Sequence, residues 1–265
     1  MTQLKLDILV ISLKNHHGRH REIAERFCAL GWSFEFFNAC TPDVMPGHVR
    51  RYFYDEDGTP WTGFMLPGEI GCYASHLTIM HEVVSGKLPS PLIVMEDDAE
   101  PTPDVKKIFE FVYKLMLEDE NRYQYINFYS RETRAAVESI RIGRGVKLIR
   151  NFIPNYRTHC YMINKSGCEN FINFRERRIF PIDEDIILAS LESDMKVWET
   201  VPTVVGCADE ADEHSDVDPQ GIRSGRPRPH AIRLKNKLGL ARAKYGRLHE
   251  LRYRLSRKLW KLKNR

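Results

Sequence analysis

The hydrophobic pattern divides the chain into alternating short apolar runs and longer stretches of helical period. Residues 6–13 form an apolar, β-prone run, and residues 21–30 repeat apolar positions at Ile23, Ala24, Phe27 and Leu30 before Gly31. That pairing predicts a strand, a loop and a helix that stops at the glycine. Aromatics alternate through residues 33–37 as a second strand, whereas residues 40–67 carry Gly, Pro and aromatics without strong periodicity. A loop of that length is expected to be functional or mobile. Helical period returns over 68–84, 103–118, 165–174 and 184–193, with short β-prone runs at 92–95, 125–129, 161–164 and 197–205. Strands alternating with helices predict an α/β layered domain around a mainly parallel sheet.

The last forty residues read differently. Leu234, Leu238, Ala241, Tyr245, Leu248, Leu251, Leu255, Leu259 and Leu262 recur at steps of three and four, which predicts one apolar helical face among basic residues. Charge separates this tail from the body: residues 226–265 hold 15 Lys or Arg and one acid, Glu250, a net +14, so the first 225 residues carry −10. The expected division is a globular domain over 1–222 and a basic amphipathic tail over 223–265, with Tyr253 and Trp260 available to an interface. An anionic membrane surface is the partner such a helix suits, each near-surface Lys or Arg adding on the order of 1 kcal/mol. An RNA-binding arm and a packing helix are the alternatives.

Composition adds little beyond a soluble, folded chain, with 42% hydrophobic residues and 11% aromatics in 265. No run approaches the roughly 20 apolar residues that span a bilayer, and the first residues lack a basic region or cleavage site. The six cysteines include no C-x-x-C pair, which argues against a zinc knuckle and for a reducing cytoplasm. His16, His17 and His20 lack supporting ligands at zinc spacing.

Candidate chemistry concentrates where the apolar run at 92–95 meets Glu96, Asp97 and Asp98. A uniformly apolar run of that length suits a strand buried on both faces, and ligands of such sheets bind beyond the strands' carboxyl ends. Three crowded acids repel one another unless a cation neutralises them, and oxygen ligands suit Mg²⁺ or Mn²⁺ with a substrate diphosphate. The plainer reading is a solvated acidic turn.

Several segments, taken in order, resemble glycosyltransferase family 25. These are VISLK at 10–14 with Arg19, GEIGCYASH at 68–76, IVMEDD at 93–98, residues 156–167 against a Y-x-T-x-x-Y-x-I-x-x-x-G pattern, PIDE at 181–184 and HSDV at 214–217. The family comprises lipooligosaccharide galactosyl- and glucosyltransferases of Gram-negative bacteria and includes the collagen galactosyltransferases. Ser12 stands where an Asn is usual, Gly18 and His20 depart from an Asp-Arg-Arg loop, and the long basic tail is an addition. The resemblance implies a GT-A-like nucleotide-binding sandwich and an inverting, metal-dependent transfer of a hexose, galactose ahead of glucose, from a UDP-sugar to lipooligosaccharide. It places the enzyme at the cytoplasmic face of the inner membrane.

By that resemblance Asp98, assisted by Asp97 or Glu96, would hold Mn²⁺ or Mg²⁺, and Asp183, with Glu184 as second choice, would be the general base. Helix capping is the competing role for that pair. Ser12, Lys14, Arg19, Ser75, His76, Glu96 and Asp97 would contact the donor, with His214, Ser215 and Asp216 as late contacts. Gly68 and Gly71 are expected to permit close packing or close substrate approach. Two rivals remain at this level: a nucleic-acid-binding protein using the basic tail, disfavoured by the acidic body, and an inactive saccharide-binding relative.

Overall fold

The computed structural model describes residues 5–61, 65–102, 104–130, 135–143, 145–207 and 230–263, with the side chains of 230–235, 260, 261 and 263 left aside. The segment bearing His214, Ser215 and Asp216 therefore lies outside the described residues. In chain order the elements are β1 (Ile8–Ser12), α1 (His17–Leu30), β2 (Glu35–Asn38), α2 (Gly47–Arg50), α3 (Pro67–Val84), β3 (Leu92–Glu96), β4 (Ala99–Pro101) and α4 (Val105–Glu118). They continue through β5 (Tyr125–Asn127), β6 (Ala136–Gly143), β7 (Val146–Asn151), β8 (Cys160–Ile163), α5 (Lys165–Phe174), α6 (Ile182–Glu192), β9 (Val197–Val201), β10 (Val205–Cys207), α7 (His230–Tyr245) and α8 (Arg247–Lys263).

Eight strands form one sheet in the order β2-β1-β3-β8-β5-β9-β7-β6, and β4 pairs with β10 separately. The sheet is mixed. β2, β1 and β3 run parallel, as do β5 and β9, whereas β8 enters antiparallel between β3 and β5 and the β6–β7 hairpin closes one edge. Both faces are covered, which explains the uniformly apolar runs of the central strands. Leu9, Ile11, Leu92, Val94, Tyr161 and Val197 face a core shared with α3, α5 and α6. Ile8, Val10, Ile93, Met95, Met162 and Trp198 face one shared with α1 and α4.

Residues 40–67 are less open than their composition predicts. α2 lies within them, and Val49, Tyr52, Phe53, Tyr54, Met65 and Leu66 are buried. Gly71 lets α3 approach this segment: a Cβ there would sit 2.6 Å from the Cys40 carbonyl oxygen. At the far end of α3, His81 is held neutral down to about pH 4 by burial and by the charges of His48, Arg51 and Arg178. An unfolded chain takes up that proton near the ordinary value of about 6.5. Stability from this group is therefore present above that value and lost as pH falls toward 4. Urea midpoints at pH 7, 5 and 4 should fall more steeply for the wild type than for His81→Gln.

The tail does not present a single face. Gly246 breaks it at a φ of 85°, and α7 packs on the body through Leu238, Ala241 and Tyr245 beside Phe152, Ile187 and Leu191. Lys244 Nζ donates to the carbonyls of Ser190, at 2.8 Å, and Ser193, satisfying acceptors at the end of α6. Tyr253, expected at an interface, is instead 1% exposed and tilted against the Phe152 ring, because α8 folds back over the same apolar patch. Leu248, Leu251, Leu255, Leu259 and Leu262 remain 57–66% exposed along α8.

Candidate active site

The carboxyl ends of β1 and β3 lie side by side, with Ile11 opposite Glu96, so Ser12 and the three acids emerge together. Each acid meets a different partner. Asp97 accepts from Ser12 Oγ at 2.7 Å and from Arg19 at 2.8 Å. The expected donor-contacting residues Ser12 and Arg19 thus converge with Asp97, and both of its oxygens are already engaged. Lys14 is exposed at the turn before α1.

Glu96 turns toward β8 and α3. Its Oε1 accepts from the Thr158 hydroxyl at 2.6 Å and lies 3.4 Å from His76 Nε2. Burial would push this carboxyl up, but the His76 ring and Thr158 outweigh it and hold Glu96 at about 2. His76, wholly buried, meets the Tyr161 hydroxyl through Nδ1 at 2.8 Å. Ser75 is equally buried but is used by the loop, accepting from the Cys40 amide and donating to the Gly71 carbonyl, both at 2.8 Å.

Asp98 is the acid with spare capacity. The β4–β10 ladder sets Cys207 opposite Ala99, and the Cys207 thiol donates to Asp98 Oδ2 at 3.1 Å. Oδ1 is buried with no hydrogen-bond partner among the described residues. Burial, then the charge of Glu96, pushes this carboxyl up to about 6, with Asp97 adding to the rise and the thiol opposing it. A buried, unpartnered carboxylate oxygen is costly unless something positive meets it. The residues therefore fit a divalent cation: Mg²⁺-type ions take one or two carboxylates and complete their shell with water and substrate phosphate.

At the start of α6, Asp183 is half-buried in the first turn and accepts from the Glu184 amide at 2.8 Å. Glu184 is buried against Lys237 Nζ of α7 at 2.6 Å. That pairing removes Glu184 from solvent and leaves Asp183 the more accessible carboxylate. Tyr125 links the two halves: burial first, then the charges of Glu96, Cys160 and Asp183, push its hydroxyl far above the ordinary value. That hydroxyl is itself buried without a hydrogen-bond partner among the described residues.

Thr158, Tyr161, Cys207 and Tyr125 are functional neighbours that charge and periodicity did not single out. A signal for two of them existed in the Y-x-T-x-x-Y pattern, whose Thr158 and Tyr161 hydroxyls meet Glu96 and His76. Its glycine, Gly167, is equally specific, since a Cβ there would lie 2.3 Å from the Gln124 carbonyl oxygen.

A family model described as "Glycosyltransferase family 25 (LPS biosynthesis protein)" matches residues 5–186, from β1 into α6. The chain belongs to glycosyltransferase family 25. The family 25 match takes in all ten candidate residues from Ser12 to Glu184 and stops before β9, β10 and the tail. A Haemophilus influenzae protein described as "Putative glycosyltransferase" is 31% identical over 104 residues, 39% of this chain and 36% of that protein. The chain thus aligns with about a third of that relative's length.

Proposed function

We propose that this family 25 chain is an inverting transferase that moves a hexose, galactose first and glucose second, from a UDP-sugar to a lipooligosaccharide acceptor. The observation that carries the reading is the buried Asp98 oxygen at the carboxyl end of β3, which has no partner among the described residues. The parallel β2-β1-β3 unit and the ligand position at its end support a GT-A-like nucleotide-binding arrangement. Asp98, with the remaining oxygen of Glu96, would hold Mn²⁺ or Mg²⁺. Such a cation supplies Lewis-acid neutralisation of the departing diphosphate. Arg19, fixed on Asp97, places a positive charge beside the same strand ends. Asp183 accepts the acceptor hydroxyl's proton as the glycosidic bond forms, on the face opposite the leaving group, as inversion requires.

Nucleotide release from a panel of UDP-sugars tests this, with Mn²⁺ or with chelator. One donor should give release that chelator abolishes and Mn²⁺ restores. Absence of release with every donor, acceptor present, would overturn the reading.

The same reading places the enzyme against the cytoplasmic face of a membrane. Among the described residues no helix is long and apolar enough to cross one. α8 is instead built to lie on one: its five exposed leucines recur along the helix beside Arg247, Arg252, Arg254, Arg257 and Lys258. The full chain should sediment with anionic vesicles at low salt and much less with zwitterionic ones. A chain ending at Gly246, which keeps α7, should stay in the supernatant; co-sedimentation of that shortened chain would refute the role of α8.

A further inference from the structure

We infer that Cys72, His76 and Glu96 form a binding site for one Zn²⁺, separate from the Asp98 carboxylate. Cys72 and His76 stand four residues apart on α3, so both project from one side of the helix. That side meets the end of β3, and Cys72 Sγ, His76 Nε2 and a Glu96 oxygen lie within 4.8 Å of one another.

The decisive group is His76. Its ring is 0% exposed, its Nδ1 is engaged by the Tyr161 hydroxyl, and its Nε2 has no hydrogen-bond partner among the described residues although Glu96 Oε1 is 3.4 Å away. A charge-assisted hydrogen bond would draw such a pair to about 2.7–2.9 Å. Two ligands on one tetrahedral Zn²⁺, each bonded at about 2.0–2.1 Å, sit roughly 3.3–3.4 Å apart. The observed separation matches that of two ligands sharing an ion.

The surroundings match a metal site in their outer contacts as well. Tyr161 orients the imidazole through its other nitrogen, and Thr158 orients the Glu96 carboxylate at 2.6 Å. Cys72 and Glu96 are half-buried, which leaves a route from solvent. One sulfur, one nitrogen and one oxygen donor select Zn²⁺ over Mg²⁺ or Mn²⁺, which prefer oxygen alone. On binding, the Cys72 thiol proton passes to solvent. Zn²⁺ here would engage one oxygen of Glu96, leave the other for the Asp98 cation, and set a fixed positive charge beside the donor site. The inference stands on these three residues and does not depend on the transferase reading.

The full-length chain, stripped with chelator, is titrated with Zn²⁺ against a chromophoric competitor, and separately with Co²⁺ while its spectrum is recorded. The expected result is one Zn²⁺ per chain and a thiolate-to-Co²⁺ charge-transfer band in the near ultraviolet. Cys72→Ser should remove the band and weaken Zn²⁺ at least tenfold, while Asp98→Asn keeps both. Cys72 is only partly buried, circular dichroism checks that the variant folds, and the wild-type Co²⁺ spectrum decides independently. Absence of stoichiometric Zn²⁺, absence of the thiolate band in the wild type, or Zn²⁺ binding unchanged in Cys72→Ser would overturn the proposal.

Discussion

Asp98→Asn should reduce sugar transfer by on the order of 10²–10³-fold, the scale expected when one group that stabilises developing charge is lost. The substitution keeps shape and removes charge. Asp98 Oδ1 is buried without a partner among the described residues, and Oδ2 accepts from the weakly donating Cys207 thiol at 3.1 Å. A neutral amide in that position no longer attracts a cation, so added Mn²⁺ should fail to restore activity. Folding should not suffer. An uncompensated buried carboxylate does nothing for the fold, and its isosteric replacement leaves the melting temperature level or somewhat higher. Activity lost together with a large drop in melting temperature would instead assign Asp98 a structural role. Asp97→Asn is the useful contrast, because Asp97 ties β3 to Ser12 and Arg19 and its loss should loosen the strand ends as well.

Lys237→Met should destabilise the protein by about 3–5 kcal/mol, the usual consequence of removing one partner of a buried pair. Lys237 and Glu184 approach to 2.6 Å with side chains 2% and 5% exposed, and the Lys237 ammonium also donates to the Tyr156 hydroxyl at 2.7 Å. Methionine fills most of the volume but leaves the Glu184 carboxyl group buried without its counter-charge. For a chain of this size the melting temperature should fall by about 10 °C. Adding Glu184→Gln should recover most of the loss, since the neutral amide no longer needs a counter-charge. If Lys237→Met changed the melting temperature by less than a degree, α7 would not be the integral part of the body that its contacts indicate. Activity should fall too, because Asp183 precedes Glu184 in the same helical turn.

The surroundings of these two residues also show what was legible in the sequence and what was not. The acid triplet was legible because an apolar run ending in three carboxylates has few physical explanations, and the strand and helix of β1 and α1 followed from simple periodicity. The β6–β7 hairpin was not legible. Its outer strand is half-exposed at Ala136, Val137, Glu138 and Ile140, so neither a clean alternation nor a continuous apolar run survives to mark it. The partition of the tail was hidden for another reason. Leucines that pack against the body and leucines that face outward share one helical period, and only Gly246 redirects α8 so that Tyr253 is covered while Leu255 is not.

Partners within the site were hidden by distance along the chain. Glu96 meets Thr158 across 62 residues and Asp98 meets Cys207 across 109, through pairings that only the antiparallel entries of β8 and β10 create. Glu184 looked like a candidate base for the same reason, since its neutralising lysine lies 53 positions later, in what reads as a solvated basic helix.

The most direct test of the central claim is the mass of a truncated lipooligosaccharide incubated with the full-length protein, Mn²⁺ and the UDP-sugar that gives release. A gain of a single hexose with wild type, and none with Asp98→Asn at equal concentration, is the result this account predicts. An unchanged acceptor mass with wild type despite donor turnover, or the same hexose gain with Asp98→Asn, would contradict it.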